Sequence, residues 1–515
     1  MAAREALNLL RALGFSGVLG LAIVGFVIYL VIDSKKAGLD HIPGPWLARY
    51  TNLHAWKEAN KNWGHDICYL RGLHQKYGDV VRVAPNRVSV CDPEAIPIIY
   101  SIKRALNKSE LMRAGRPVGD GPENLFSVRD SKVHAQMRRT VANAYSMSTI
   151  VQYEPRIDDT LSNLLTILKN EPRETNLGRW IMYYVYDVAG NMTYSQPLGY
   201  LKEKNDALRL VRQTRALHKY VTLTMPMPIL HDIFSFILRR IKVDNKLVFH
   251  RLSEQKVMER LQEVKAAKEK SDPHETNGLV RRPDILAHFI ASKDKYPDLM
   301  YDEQIVTHCM MNIIAGVGTS TMSTVNALRY LAANQRNQER LYQELKGANV
   351  GCPATFRDTQ HLPFLDALVR EGIRLRGSDT FNPNGRVVGP EGLELPGGIM
   401  LPQGTVVGVK PSVASIQERT FGARPYEFIP ERWCQAAGES DEAFVERRAK
   451  MDRGDMSFSA GTRSCIGRGI AMMQMYKLMA TLVYKYKFIQ APREKPEDSN
   501  SVYDFICILE ERNLE

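Results

Sequence analysis

The residues best suited to do chemistry lie toward the C-terminal end of this 515-residue chain, in the string Phe458-Ser-Ala-Gly461-Thr-Arg463-Ser-Cys465-Ile-Gly467. A helical pattern follows at once, Arg468-Gly-Ile-Ala-Met-Met-Gln-Met-Tyr-Lys477. A cysteine just before a helix N-terminus, flanked by glycines and by Arg463 and Arg468, sits where positive potential favours the thiolate. Such a thiolate can serve as a nucleophile or as an axial metal ligand. A lone cysteine is more often a small buried hydrophobe. The joint pattern F-x-x-G-x-R-x-C-x-G, however, arises by chance in only about one chain in ten thousand of this length. The seven cysteines are scattered and none forms a C-x-x-C pair, so they read neither as a disulfide framework nor as a zinc site.

Helical periodicity runs through about 148–170, 178–193, 206–220, 247–269, 302–334, 336–347, 364–376 and 467–486. Strand-like alternation in Asp79–Ala84 and Arg87–Cys91, broken by Pro85-Asn86, predicts a hairpin, and shorter strand pieces fall within 386–409. The body is therefore mainly α with a small β region, and no solenoid repeat is present. The polar runs Lys265–Asp284 and Gln435–Asp455 read as loops. Glu371-Gly-Ile-Arg374 places an acid and a base on one helical face; taken alone this is an ordinary surface ion pair. The predicted helix 302–334 carries Ala315-Gly316-Val317-Gly318-Thr319-Ser320. Two interior glycines cost about 1 kcal/mol each relative to alanine, so close helix packing or a groove needs the space. In Lys132-Val-His134-Ala-Gln-Met-Arg138-Arg139 the spacing of four puts His134 and Arg138 on one face, where both can donate to a carboxylate; a solvated basic helix is the alternative.

Together these strings resemble the cytochrome P450 superfamily, with Pro430-Glu431-Arg432-Trp433 similar to its second arginine motif, whose last residue is usually Phe. The segments 76–85 and 421–433 are similar to the microsomal enzymes of fungal secondary metabolism. The resemblance spans the chain from Pro43-Gly44-Pro45 onward and implies a single triangular haem-thiolate domain in place of the three domains that length alone suggests. It implies heme b with Cys465 as the iron's axial thiolate, Phe458 and Gly461 shaping the ligand loop, and Arg463, His134, Arg138 and Arg386 around the propionates. In that helix His134 stands where tryptophan is usual. It further implies a buried Glu371–Arg374–Arg432 network and an oxygen groove at Gly316, Gly318 and Thr319, with Thr319 managing protons. The family usually has an acid at position 318, where this chain has glycine, so no side chain there can relay a proton. Substrate-lining candidates are the loop 112–127, Asn312, Ile313 and Phe381 within 379–382. The implied reaction is oxidation of a medium-sized lipophilic metabolite with O2. Its electrons come from NADPH through NADPH-cytochrome P450 reductase, with cytochrome b5 as a second donor. Arg138, Arg139 and Arg468 are candidate contacts for an acidic reductase surface. Two alternatives stay open: a same-fold enzyme that rearranges, dehydrates, ring-expands or couples without inserting oxygen, and a non-catalytic haem-binding membrane protein.

Composition agrees with a folded catalytic body: 44% hydrophobic and 24% charged residues exclude a disordered or multispanning chain. The net charge of +12 is diffuse, with no basic stripe for nucleic acid. From Ala12 to Ile32 the chain carries no charge, long enough for one transmembrane helix. The sequence thus predicts a membrane anchor over 1–32, a hinge over 33–45 and the catalytic domain over 46–515. By resemblance, the catalytic domain lies on the cytosolic face of the endoplasmic reticulum membrane. Pro226 and Pro228 break the apolar stretch 222–230, which cannot be a second span.

Overall fold

The computed structural model describes residues 30–61, 67–116, 121–241, 247–269, 284–376, 385–491 and 503–512, with positions 24, 25 and 28. Most of the predicted anchor, most of the loop 265–284, and Phe381 lie outside these residues. Among the described residues no helix is long and apolar enough to cross a membrane.

Five helices position the site: α1 (Ser131–Val141), α2 (Leu177–Tyr194), α3 (Asp302–Ala333), α4 (Pro363–Arg376) and α5 (Arg468–Lys485). α3, 32 residues long, packs against α2, α4, α5 and the helix Val248–Glu269. Its apolar positions join the main core because most of its circumference faces other helices. Asp130 starts α1 by accepting from the backbone N–H of Lys132 and Val133, an N-cap that satisfies two otherwise orphaned donors.

The largest sheet has four strands, β1 (Val80–Ala84), β2 (Arg87–Val90), β3 (Arg386–Val387) and β4 (Val406–Val409), in the order β1-β2-β4-β3, and smaller sheets of three and two strands accompany it. β1 and β2 form the predicted antiparallel hairpin, while β4 runs parallel to β2. The stretch expected to be a hinge is packed on this sheet. Leu39 and Ile42 are buried in its core, Pro43 O accepts from Arg82 N, and a side chain at Gly44 would meet the Arg82 carbonyl.

Most helices fall where the periodicity put them, with two corrections. The helix expected over 206–220 is Leu210–Thr224, because Asp206 accepts from the N–H groups of Val211 and Arg212 and sets the start four residues later. The polar run 435–455 is a loop only at its beginning; Asp441–Gly454 is a helix capped by Ser440. Arginines rather than an apolar stripe hold it, Arg447 to Glu439 and Arg448 to Asp366. Pro228 opens a further helix, Pro228–Arg240.

Candidate active site

Cys465 lies in a loop closed on itself. Its N–H donates to Phe458 O at 2.8 Å, and Ser464 N–H donates to Gly461 O at 3.1 Å. Gly461 has φ +68°, and a Cβ there would lie 2.0 Å from the Tyr100 carbonyl oxygen, so both conformation and space require glycine. Two arginines tie the loop to α1. Arg138 donates to Ser464 O at 2.8 Å, and Arg463 donates to the carbonyls of Val128, Arg129 and Asp130 at 2.6–3.0 Å. The Arg468 guanidinium covers the Phe458 ring.

The thiol is accessible although it lies deep within the protein's mass. Burial raises its pKa, against the opposing pull of the Gly467 and Arg468 backbone, Arg138 and Arg468. The positive surroundings read from the sequence are therefore present, but desolvation outweighs them. A bound metal cation would reverse that balance. The second accessible interior surface is on α3. Ala315 and Thr319, one turn apart, are exposed at the middle of an otherwise buried helix. Thr319 Oγ1 donates to Ala315 O at 2.8 Å. A Cβ at Gly316 would meet open space, which answers for a groove there against close helix packing.

Beside the loop is a buried group of basic side chains. Arg386, His134, Arg463 and Lys108 are each at most 9% exposed. Lys108 bridges the backbone of Arg386 and donates from Nζ to Phe126 O at 2.8 Å. The imidazole of His134 is pushed down to about 3, by burial first and then by Arg463, Lys108, Arg138 and Arg386. Burial, then Arg386 and Arg463, hold Lys108 well below its ordinary range. The carboxylate that acts on Arg463 is Asp130, exposed and already capping α1. Among the described residues, Arg463 Nε has no hydrogen-bond partner. Two buried arginines beside buried histidine and lysine donors, with an orphaned N–H and no buried acid, form a seat for an anion. Lys108 escaped the sequence reading because nothing in Asn107-Lys108-Ser109 marks it; the antiparallel bridge to Arg386 brings it here.

Glu371 is fully buried and accepts five hydrogen bonds. Arg374 supplies two at 2.7 Å, while Arg432 Nε, Trp433 Nε1 and Ile429 N–H supply one each at 2.8–2.9 Å. Arg374 also donates to the carbonyls of Ser415, Pro425 and Glu427. The tryptophan at 433 thus makes a bond that phenylalanine could not. Trp433→Phe is expected to cost about 1–3 kcal/mol, the penalty for withdrawing a donor from a buried charged acceptor, and denaturant unfolding measures it.

The residues expected to line a substrate site divide. Asn312 shares the stripe of Ala315 and Thr319 and is held between Tyr145 Oη and Thr193 Oγ1. Ile313 is a correction: it has no accessible surface and packs in the main core, one step around α3 from Asn312.

Comparison with known proteins agrees with this geometry. The family model described as Cytochrome P450 matches residues 43–512. The chain is 31% identical over 484 residues to the cytochrome P450 monooxygenase cicH of Emericella nidulans, covering 91% of this chain and 92% of that one. It is 29% identical over 493 residues to the cytochrome P450 monooxygenase vrtE of Penicillium aethiopicum, covering 94% and 91% respectively.

Proposed function

The chain belongs to the cytochrome P450 family and is an oxidoreductase of the monooxygenase kind, and on that premise we propose that it oxidises a medium-sized lipophilic metabolite of a secondary-metabolite pathway. The observation that carries the reading is an accessible cysteine deep in the protein beside a seat of buried basic side chains that lacks an acid.

Family membership implies a haem held through a cysteine thiolate, and the residues present fit it. Cys465 would ligate the iron through its thiolate, and His134, Arg386, Arg463 and Lys108 would hold the two haem carboxylates. When bound, the haem supplies activation of dioxygen. The protein's residues do the rest. Arg138 and Arg463 fix the loop that carries Sγ, and the Ala315–Thr319 stripe is the accessible face of α3. Thr319 holds a hydroxyl proton at Oγ1, in reach of the hollow. Electrons are proposed to come from NADPH through NADPH-cytochrome P450 reductase docking at Arg138, Arg139 and Arg468, with cytochrome b5 as a second donor. The apolar segment 12–32 is the proposed anchor, holding the catalytic body on the cytosolic face of the endoplasmic reticulum membrane.

A second reading, the same fold acting without oxygen insertion, is favoured by one observation, the glycine at 318. Membranes carrying the protein and the reductase, given lipophilic metabolite extract with NADPH and isotopically labelled dioxygen, separate the two. A product carrying label supports the monooxygenase; turnover that needs neither NADPH nor dioxygen overturns it.

Lys108 gives a sharper prediction. Lys108→Met should speed haem loss to a scavenging apoprotein by about ten- to a hundredfold, the equivalent of one hydrogen bond to a charged group. The carbon monoxide band per remaining haem should be unchanged.

A further inference from the structure

We propose that the hydroxyl of Tyr503 is the polar relay beside Thr319 that position 318 itself lacks, a role that rests on the reading of Thr319 given above. A Cβ built on Gly318 would lie 3.4 Å from Tyr503 Oη, so any side chain longer than alanine's would enter the space that the phenol holds. The tyrosine is fixed at its other end by a second glycine. A Cβ at Gly178, in the first turn of α2, would fall 2.1 Å from Tyr503 O and 2.7 Å from Phe505 N. Gly178 N–H donates to Phe505 O at 3.2 Å, Asn176 donates to the Asp504 carboxylate at 2.9 Å, and Arg329 of α3 donates to the Asp504 carbonyl. Two glycines on two helices therefore accept one residue from the far end of the chain, Gly178 its backbone and Gly318 its hydroxyl.

If filling space were the whole requirement, phenylalanine would serve. The hydroxyl is turned instead toward α3 at Gly318, the residue that precedes Thr319. Burial pushes the phenol up, so it stays an O–H donor, while Arg215 pulls the other way. Arg215 is exposed, which puts solvent on that side of the tyrosine. In each cycle Tyr503 gives its hydroxyl proton, through water, toward Thr319 and takes one from solvent. The phenol is unchanged overall and no electron moves.

The test uses the haem-loaded full chain without substrate. The reduced protein is mixed with dioxygen, and reoxidation is followed at the Soret band in light and heavy water. Tyr503→Phe is expected to keep haem content and the carbon monoxide band, to slow reoxidation about tenfold, and to change its solvent isotope effect. Gly318→Asp in the Tyr503→Phe background is expected to recover the rate, a carboxylate taking the place of the phenol. An unchanged rate and isotope effect in Tyr503→Phe overturn the relay. Melting gives a second readout, independent of turnover. Gly318→Asp should lower the midpoint by about 2 °C more with Tyr503 present than in the Tyr503→Phe background. Equal losses overturn the contact. If the wild type lacks a red-shifted carbon monoxide band, the haem-thiolate reading fails, and the melting comparison still decides the Tyr503 contact.

Discussion

Cys465→Ala is expected to abolish the red-shifted Soret band of the reduced carbon monoxide complex and to lower turnover by about a thousandfold or more. The shift depends on thiolate ligation of the iron, so it reports the ligand rather than haem binding as such. Haem content should fall only in part, because the seat formed by Lys108, His134, Arg386 and Arg463 does not involve the sulfur. Lys108→Met should show the converse, haem leaving faster with the band per haem intact. The pair of variants thus separates axial ligation from anion capture. Since burial raises the thiol's pKa, ligation must release a proton at Cys465, and haem uptake by the apoprotein should tighten as pH rises. A red-shifted band in Cys465→Ala would move the ligand to another residue and take with it every role assigned to the loop.

The cysteine loop was legible because its chemistry is written in adjacent residues. Gly461 has a positive φ and a backbone neighbour at contact distance, a demand that only glycine meets, so loop and motif are the same fact. Lys108 shows where such legibility ends. Its neighbours in sequence say nothing of Arg386, 278 positions on, and only the bridge between their backbones reveals the cluster. Tyr503 belongs to the same class, since its contact with Gly318 exists only once the C-terminal segment has docked on α2. Helix Asp441–Gly454 went unread for another reason. Periodicity registers apolar burial, and this helix is held at its edge by guanidinium contacts, with Met451 its one large buried apolar side chain. Ile313 was misplaced by one step around α3, where a shift of about 100° turns a lining residue into a core residue.

Glu371→Gln is expected to cost about 3–5 kcal/mol and to yield protein that holds little haem. The cost is large because the carboxylate is fully buried and two arginines close on it; an amide would leave both cations uncompensated and turn an N–H toward one of them. Total stability of folded domains is about 5–15 kcal/mol, so a loss of this size is a large share of the whole. The route from Glu371 to the cysteine loop is indirect and can be traced. α4 carries Glu371 and also Asp366, which accepts from Tyr476 Oη at 2.6 Å. Tyr476 lies on α5, the helix that begins three residues after Cys465. Asp366 also pairs with Arg370 and Arg448, and Arg448 donates to Trp433 O, which closes the circuit back to Glu371 through Trp433 Nε1. Loss of Glu371 should therefore loosen the end of α5 that aims the sulfur, and the red-shifted band should fall along with the melting midpoint. Arg374→Lys tests whether charge alone suffices. One ammonium cannot feed both carboxylate oxygens and three backbone carbonyls at once, so this conservative exchange should lose nearly as much as Glu371→Gln. Wild-type haem content and melting in Arg374→Lys would mean that the network acts through its charge and not through its geometry.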